Sequence, residues 1–226
     1  MNPPCLKLQN LCRTFETPQG PRNVLTGLNL DVYSGDRIVL FGPSGCGKTT
    51  LLHLMAFLDS PSRGDIFFQG HLTREWDETK RCDLRAKEIG MVFQQFHLLP
   101  HHSVLDNVLL RMRYLPQDAE IPVPAQHLLE EMGLGDRASQ SARLLSGGEK
   151  QRLCIARAML LQPSLFLADE PTGNLDAENA DRIRSLFTNV STRGAATVIA
   201  THDERWFDFA TRVFRFDQGQ IVEESP

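Results

Sequence analysis

The residues best suited to chemistry lie in Gly42-Pro43-Ser44-Gly45-Cys46-Gly47-Lys48-Thr49-Thr50. The glycines let backbone N–H groups approach phosphate oxygens, Lys48 can reach the terminal phosphates, and the Thr49 hydroxyl can ligate magnesium. About a hundred residues on, Leu145-Ser146-Gly147-Gly148-Glu149-Lys150-Gln151-Arg152 reads as a helix start preceded by serine and two glycines. Free N–H groups and the helix dipole make that a second anion site. One bound nucleotide needs only one.

Two carboxylates follow an apolar run. Ser164–Ala168 ends in Asp169-Glu170, and adjacent acids closing a buried strand are costly unless they are used. Asp169 is placed to hold the water shell of a magnesium ion, and Glu170 to orient or deprotonate a water for attack on a γ-phosphate. His202 leaves the apolar run Ala196–Ala200 in the same way, reaching the sheet edge where open α/β folds bind ligands. It is either a γ-phosphate sensor or a strand-end histidine bonded into the structure. Gln94 leaves a third run, Ile89–Phe93, and its neutral amide suits contact with magnesium or the attacking water. By itself it is no different from a polar loop residue. The pair His101-His102 has no third ligand nearby and reads as loop polarity.

These positions depend on alternating elements. Leu6–Gln9 and Leu28–Val32 alternate as half-buried antiparallel strands, with a turn at Gly20-Pro21. Arg37–Phe41 is an apolar strand feeding the glycine loop, and Thr49–Leu58 has helical spacing. Asp65–Phe68 and Ile89–Phe93 are strands on either side of a charged helix, Asp77–Lys87. Ser103 with Asp106 resembles a capping box opening a helix to about Arg113. A break at Pro116, Pro122 and Pro124 precedes a helix at Ala125–Met132. Further helices are expected over Gly148–Leu161 and Ala177–Val190, and a hairpin about Asp217–Gly219 joins Arg212–Phe216 to Gln220–Glu223. Strand alternating with helix predicts a mainly parallel sheet covered on both faces.

Bulk properties narrow the function. The chain has 226 residues and a net charge of -4, so no broad nucleic-acid surface is advertised. No apolar run approaches the roughly 20 residues of a membrane span, and the N-terminus lacks signal-peptide architecture. A membrane role would run through a partner. Five scattered cysteines without a Cys-x-x-Cys pair argue against disulfides or zinc and for a reducing cytoplasm.

Taken in order, Gly42–Thr49, Gln94, Leu145–Glu149, Asp169-Glu170, Asn174-Leu175-Asp176 and His202 resemble the Walker A, Q-loop, signature, Walker B, D-loop and switch histidine of the ATP-binding-cassette ATPases. The resemblance spans essentially the whole chain. The wordings Leu58-Asp59-x-Pro61, Phe93–Pro100 and Ala168–Asp176 are similar to the bacterial LolD/MacB/FtsE-like subgroup. The resemblance implies an α/β, RecA-like P-loop NTPase fold with a mainly parallel sheet. It also implies an antiparallel β subdomain (about 1–35 and 62–75) and an inserted α-helical subdomain (about 95–160) within one domain, 1–226.

It further implies ATP and Mg2+ as ligands, with Thr49, Gln94 and Asp169 about the metal and Phe15 stacked on adenine in place of the usual Tyr. A head-to-tail homodimer would set Ser146, Gly147 and Gly148 of one subunit against the γ-phosphate held by the other, with Asp176 bridging the sites. Gln94 and the helical insertion would receive the coupling helix of an integral membrane permease subunit at the cytoplasmic face. Nucleic acid is not an expected partner, nor is direct membrane insertion.

The alternatives are a nutrient-importer motor, a soluble ATPase of this class acting on nucleic acid, and a binding-only module. The intact Glu170 speaks against the last. Two departures stand out. Phe57 occupies a position where the subgroup commonly has Gly, read as local packing, and Cys46 places a thiol beside Lys48 and a helix N-terminus, a setting that favours thiolate chemistry.

Overall fold

The computed structural model describes residues 3–115, 123–173, 175–191 and 194–224. Along the chain run β1 (Leu6–Thr17), β2 (Gly20–Val32), β3 (Arg37–Phe41), α1 (Lys48–Met55), β4 (Arg63–Phe68), β5 (His71–Leu72), α2 (Glu78–Glu88) and β6 (Ile89–Val92). Then come α3 (Val104–Leu109), α4 (Ala125–Glu131), α5 (Gly147–Met159), β7 (Leu165–Asp169), α6 (Ala177–Ser191), β8 (Ala196–Thr201), β9 (Arg212–Asp217) and β10 (Gln220–Glu224).

Two sheets result. One is antiparallel in the order β2-β1-β4-β5, and the other has the order β10-β9-β3-β8-β7-β6. In the second, β9, β3, β8, β7 and β6 are parallel and only β10 runs against its neighbour. Every residue of β7 and β8 is buried, as expected of a parallel sheet covered on both faces. Alternation sorts the side chains: Val39, Phe166, Ala168 and Ile199 pack with α3, α4, α5 and α6, whereas Ile38, Leu40, Leu165, Leu167 and Val198 pack with α1 and the antiparallel sheet. Each large side chain so buried contributes about 1.5–3 kcal/mol. The sheet is therefore a stiff platform.

Register aligns the strand ends. Phe41 pairs with Thr201, Ala200 with Asp169, and Ala168 with Val92. Because the four strands are parallel, whatever follows each of them emerges at one edge.

Several expected boundaries shift, each for a local reason. The first hairpin turns at Pro18-Gln19, while Gly20, at φ 108°, opens β2. The strand before Gln94 stops at Val92. The helix after Ser103 has the expected capping box but tightens to a 3-10 turn over Leu110–Tyr114. Helix α5 begins at Gly147, so Ser146 is its cap and both glycines lie inside the first turn rather than before it. It ends at Met159, short of Leu161. Pro116 and Pro122 lie outside the described residues, and Pro124 caps α4.

Helix α1 ends at Met55 rather than Leu58. Phe57 N–H donates to Leu54 O (3.1 Å) and Leu58 N–H to His53 O (2.9 Å), the paired bonds of a Schellman stop. Helix α4 ends the same way through Gly133 N–H to Glu130 O and Leu134 N–H to Leu129 O. There the left-handed residue is glycine, whereas in α1 it is Phe57 at φ 55°. The ring is buried, edge-on to Phe68 at 5.8 Å between centroids and tilted against Trp76 at 6.0 Å. The packing expected of Phe57 is present, together with a backbone conformation that favours glycine.

Candidate functional site

The loop between β3 and α1 is held by its neighbours. Gly47 sits at φ 118°, and a Cβ there would lie 3.1 Å from Val24 Cγ1 and 3.2 Å from Leu25 Cδ2, so only glycine fits beneath β2. Lys48 is 5% exposed. Its Nζ donates to the carbonyls of Gly42 (2.6 Å) and Pro43 (3.0 Å) and stands 3.7 Å from Glu170 Oε1. Cys46 is a free, half-buried thiol whose Sγ packs under Gly42.

Thr49 Oγ1 donates to Asp169 Oδ2 at 2.7 Å. The other oxygen, Asp169 Oδ1, is buried with no hydrogen-bond partner among the described residues. Burial raises the Asp169 pKa above the ordinary carboxylate value, with the Thr49 hydrogen bond opposing it. A hydroxyl and an unshared carboxylate oxygen are hard donors of the kind magnesium takes. The residues present therefore fit the cation that the loop chemistry calls for.

Glu170 leaves β7 in the left-handed region, φ 45°. Its N–H still bonds to Ala200 O at 2.8 Å while its own carbonyl accepts from Gly173 N–H at 3.1 Å. This turn aims the side chain across the sheet edge: Oε1 lies 2.9 Å from His202 Nδ1, and Oε2 accepts from Thr201 Oγ1 at 3.2 Å. Strained non-glycine backbone of this kind costs about 1–3 kcal/mol and concentrates at functional sites.

A cleft of about 450 Å³ joins these parts. Ser44, Gly45, Gly47, Lys48, Thr49 and Thr50 form one wall, Gln94, Asp169, Glu170 and His202 the floor, and Phe15 the far rim. Gly42, Pro43 and Cys46 belong to the same loop but do not line the cleft. The other expected set stays apart, since no residue from Leu145 to Glu149 borders the cleft.

Leu145 is buried, whereas Ser146 and Gly147 are exposed. Ser146 and Glu149 cap each other, Glu149 N–H to Ser146 Oγ at 3.3 Å and Ser146 N–H to Glu149 Oε2 at 2.8 Å. The backbone bond from Ser146 holds the Glu149 carboxyl below its usual range. Asp176 accepts from Asn179 N–H at 2.9 Å and from its amide at 2.8 Å. The Asn179 side chain also touches the signature turn, as a Cβ on Gly148 would come within 2.5 Å of its Oδ1. Leu175 packs on the helical core; Asn174 lies outside the described residues.

Two arginines tie the helical segment to the sheet. Arg157 of α5 donates to the carbonyls of Phe96 (2.9 Å) and His97 (2.8 Å), just past Gln94. Arg111 donates to the carbonyls of Ala158, Arg85, Ala86 and Ile89. Burial pushes its pKa down to about 10, with Arg157 adding repulsion.

The ABC transporter family matches residues 25–173, from β2 through the turn after Glu170. This chain belongs to the ABC transporter family. The ABC cassette is 40% identical to the lipoprotein-releasing system ATP-binding protein LolD of Paramagnetospirillum magneticum, covering 99% of this chain and 100% of that protein. It is 41% identical to LolD of Psychrobacter arcticus over 95% and 96% of the two chains. Among solved structures it resembles a dimeric bacterial ABC transporter cassette, MJ0796, with TM-score 0.89, 32% identity and coverage of 97% and 98%. A post-hydrolysis dimer of the same cassette bound to ADP and Pi gives TM-score 0.88 at 30% identity. The P-loop NTPase fold and a LolD-like ABC ATP-binding protein are thus shown, and ATP hydrolysis is the general activity of the family.

Sequence reasoning missed Thr201, which holds Glu170, and Thr17, Arg22 and Val24, which complete the rim near Phe15. Period-two alternation from Phe15 points to Thr17, but Arg22 and Val24 come from the partner strand and required the hairpin register. Among the described residues there is no group of three or more His, Cys, Asp or Glu placed to hold a metal ion, and the cysteines are free. No helix among them is long and apolar enough to cross a membrane.

Proposed function

We propose that the chain is the ATP-hydrolysing subunit of a bacterial ABC transporter or mechanotransmission complex of the export or lipoprotein-release type. The observation that carries this reading is one cleft in which the glycine loop, Asp169, Glu170, Gln94 and His202 converge and which no residue of the exposed signature turn borders. A site with its signature on another surface is completed by a second copy placed head to tail. The family's solved dimers and the LolD relatives support that arrangement and that class.

Within this reading Lys48 exchanges its two loop carbonyls for the terminal phosphates, and the loop N–H groups cradle the chain of phosphates. Thr49 and Asp169 would hold magnesium, with Gln94 beside them, and the ion would supply positive charge against the terminal phosphates. Glu170, steered by Thr201 and His202, orients the attacking water and takes its proton. His202 contacts the γ-phosphate. Ser146 and Gly147 offer their helix N-terminus to the nucleotide of the other subunit, and Asp176 lies at that junction.

Force leaves the site through Gln94. The segment after it is gripped by Arg157 of the signature helix, so movement of α5 on dimer closure shifts the face that receives an integral membrane permease subunit. The cassette then lies peripherally on the cytoplasmic side of the cell membrane.

The test is capture of the membrane partner. Glu170→Gln protein, expressed in its native host and loaded with ATP, should co-purify as a dimer with one integral membrane protein. Recovery with ribosomes or nucleic acid instead would overturn the reading.

A further inference from the structure

Phe15 carries no hydroxyl, so no hydrogen bond can set its ring, yet the ring is 38% exposed at the rim of the cleft and must present a face to be of use. One face is already taken. The Arg13 guanidinium carbon lies 4.5 Å from the Phe15 ring centroid, within the range of a cation–π contact. Arg13 is itself fixed: its Nε is 2.8 Å from Asp59 Oδ2, with the two side chains 23% and 27% exposed. The Nε has no hydrogen-bond partner among the described residues, so the pairing is ionic, and it anchors the guanidinium against the ring. Asp59 Oδ1 in turn accepts from Ser60 N–H at 2.8 Å.

Asp59 lies four residues beyond the end of α1, the helix that starts at the phosphate loop. Arg13 and Phe15 belong to β1, whose pairing with β2 slips on both sides of Arg13 and is regular from Thr14 opposite Asn23, through Phe15 opposite Arg22, to Thr17 opposite Gly20. Register fixes the face of the strand on which Phe15 stands, but it does not by itself dictate the ring's rotamer. The link from α1 through Asp59 and Arg13 does, and it ties the rim of the cleft to the phosphate-binding helix.

We propose that Arg13, clamped by Asp59, is a positioning residue that sets the Phe15 ring so that its open face accepts the nucleotide base, giving a layered stack of base, Phe15 and Arg13. This rests on the ATPase reading above. A cation on the far face also polarises the ring toward an electron-rich purine. Arg13 touches neither phosphates nor the reacting atoms, so its contribution is confined to the base.

Steady-state ATPase kinetics on the full chain test it, using Arg13→Ala, Arg13→Lys, Phe15→Leu and the double variant Arg13→Ala/Phe15→Leu. Arg13→Ala should raise KM for ATP about fivefold with kcat within about twofold, and Arg13→Lys should recover part of that loss. In the Phe15→Leu background Arg13→Ala should add nothing. Inhibition by inorganic tripolyphosphate, which has no base, should be unchanged by Arg13→Ala. A full Arg13→Ala effect in the double variant, or an equal loss of tripolyphosphate binding, would overturn the proposal. If Arg13→Ala does not fold, Asp59→Asn supplies the same cycle. Failure of the wild-type chain to hydrolyse ATP would strike the ATPase reading, whereas normal turnover without Arg13–Phe15 coupling would strike this inference alone.

Discussion

Glu170 Oε1 and His202 Nδ1 are 2.9 Å apart across the ends of β7 and β8. The distance follows from register, because Asp169 pairs with Ala200 and each strand runs on by two residues or fewer to its functional side chain. The left-handed turn at Glu170 then points the acid at the histidine rather than into solvent. Glu170→Gln keeps the shape and removes the base. Single-turnover hydrolysis should fall at least about 100-fold while ATP still binds and the dimer persists, read by light scattering. Hydrolysis at the wild-type rate would remove Glu170 from its assigned role.

Asp169 carries a conflict between stability and function. Its Oδ1 is buried and unpartnered, and burial raises its pKa above the unfolded value of 3.8. For an acid shifted this way, the contribution to stability is full below pH 3.8 and is lost as pH rises through the folded pKa. Asp169→Asn keeps an acceptor for Thr49 and carries no charge. At pH 7, without nucleotide, it should be more stable than wild type by about 1 kcal/mol, or ~2–4 °C in Tm. The gap should close as pH falls below the folded pKa of Asp169. Calorimetry across pH checks this, and a variant less stable at pH 7 would show that the carboxylate is well solvated after all. ATPase activity with magnesium should be lost in the same protein.

Much of this was legible in the sequence because parallel strands buried on both faces read as unbroken apolar runs, and the residue ending each run is forced to one edge. Asp169, Glu170, His202 and the glycine loop follow from that rule alone. Gln94 does not, as an amide after a short strand has no distinguishing chemistry until the strand order places it beside Asp169. The Ser-x-x-Glu pattern of Ser146 and Glu149 went unread as a capping box, because the glycines between them suggested a later helix start. Thr201 and Asn179 were out of reach because the residues they meet, Glu170 and Gly148, are distant in sequence, and Arg22 because its place opposite Phe15 required the hairpin register. The D-loop expectation is only partly placed, since Asn174 falls outside the described residues.

The signature turn should tolerate very little. Gly148 faces Asn179, where a Cβ would come within 2.5 Å of Oδ1, and the Asn179 amide is already committed to Asp176. Gly148→Ala should displace Asn179 and loosen the Asp176 cap of α6, costing about 1 kcal/mol and most of the hydrolysis. Ser146→Arg removes the cap of α5 and should cost about 1 kcal/mol of stability, while equilibrium ATP binding stays intact and turnover collapses. Mixing it with Glu170→Gln chains provides the check: if each site borrows its signature from the other subunit, mixed dimers should regain one functional site. No recovery at any ratio would count against sharing in trans.

Phe57 offers a test of strain against packing at one position. Its backbone lies at φ 55°, where a non-glycine residue pays about 1 kcal/mol relative to glycine, yet its ring is buried between Phe68 and Trp76. Phe57→Ala removes the ring and retains the strain, so a loss of about 3–4 kcal/mol is expected. Phe57→Gly removes the ring as well but relaxes the Schellman stop, and its loss should be smaller by about 1 kcal/mol. That order reverses the usual ranking of alanine over glycine near a helix. Urea unfolding of the two variants measures it directly. Alanine proving the more stable would mean that the chain after α1 can abandon the left-handed turn once the ring is gone.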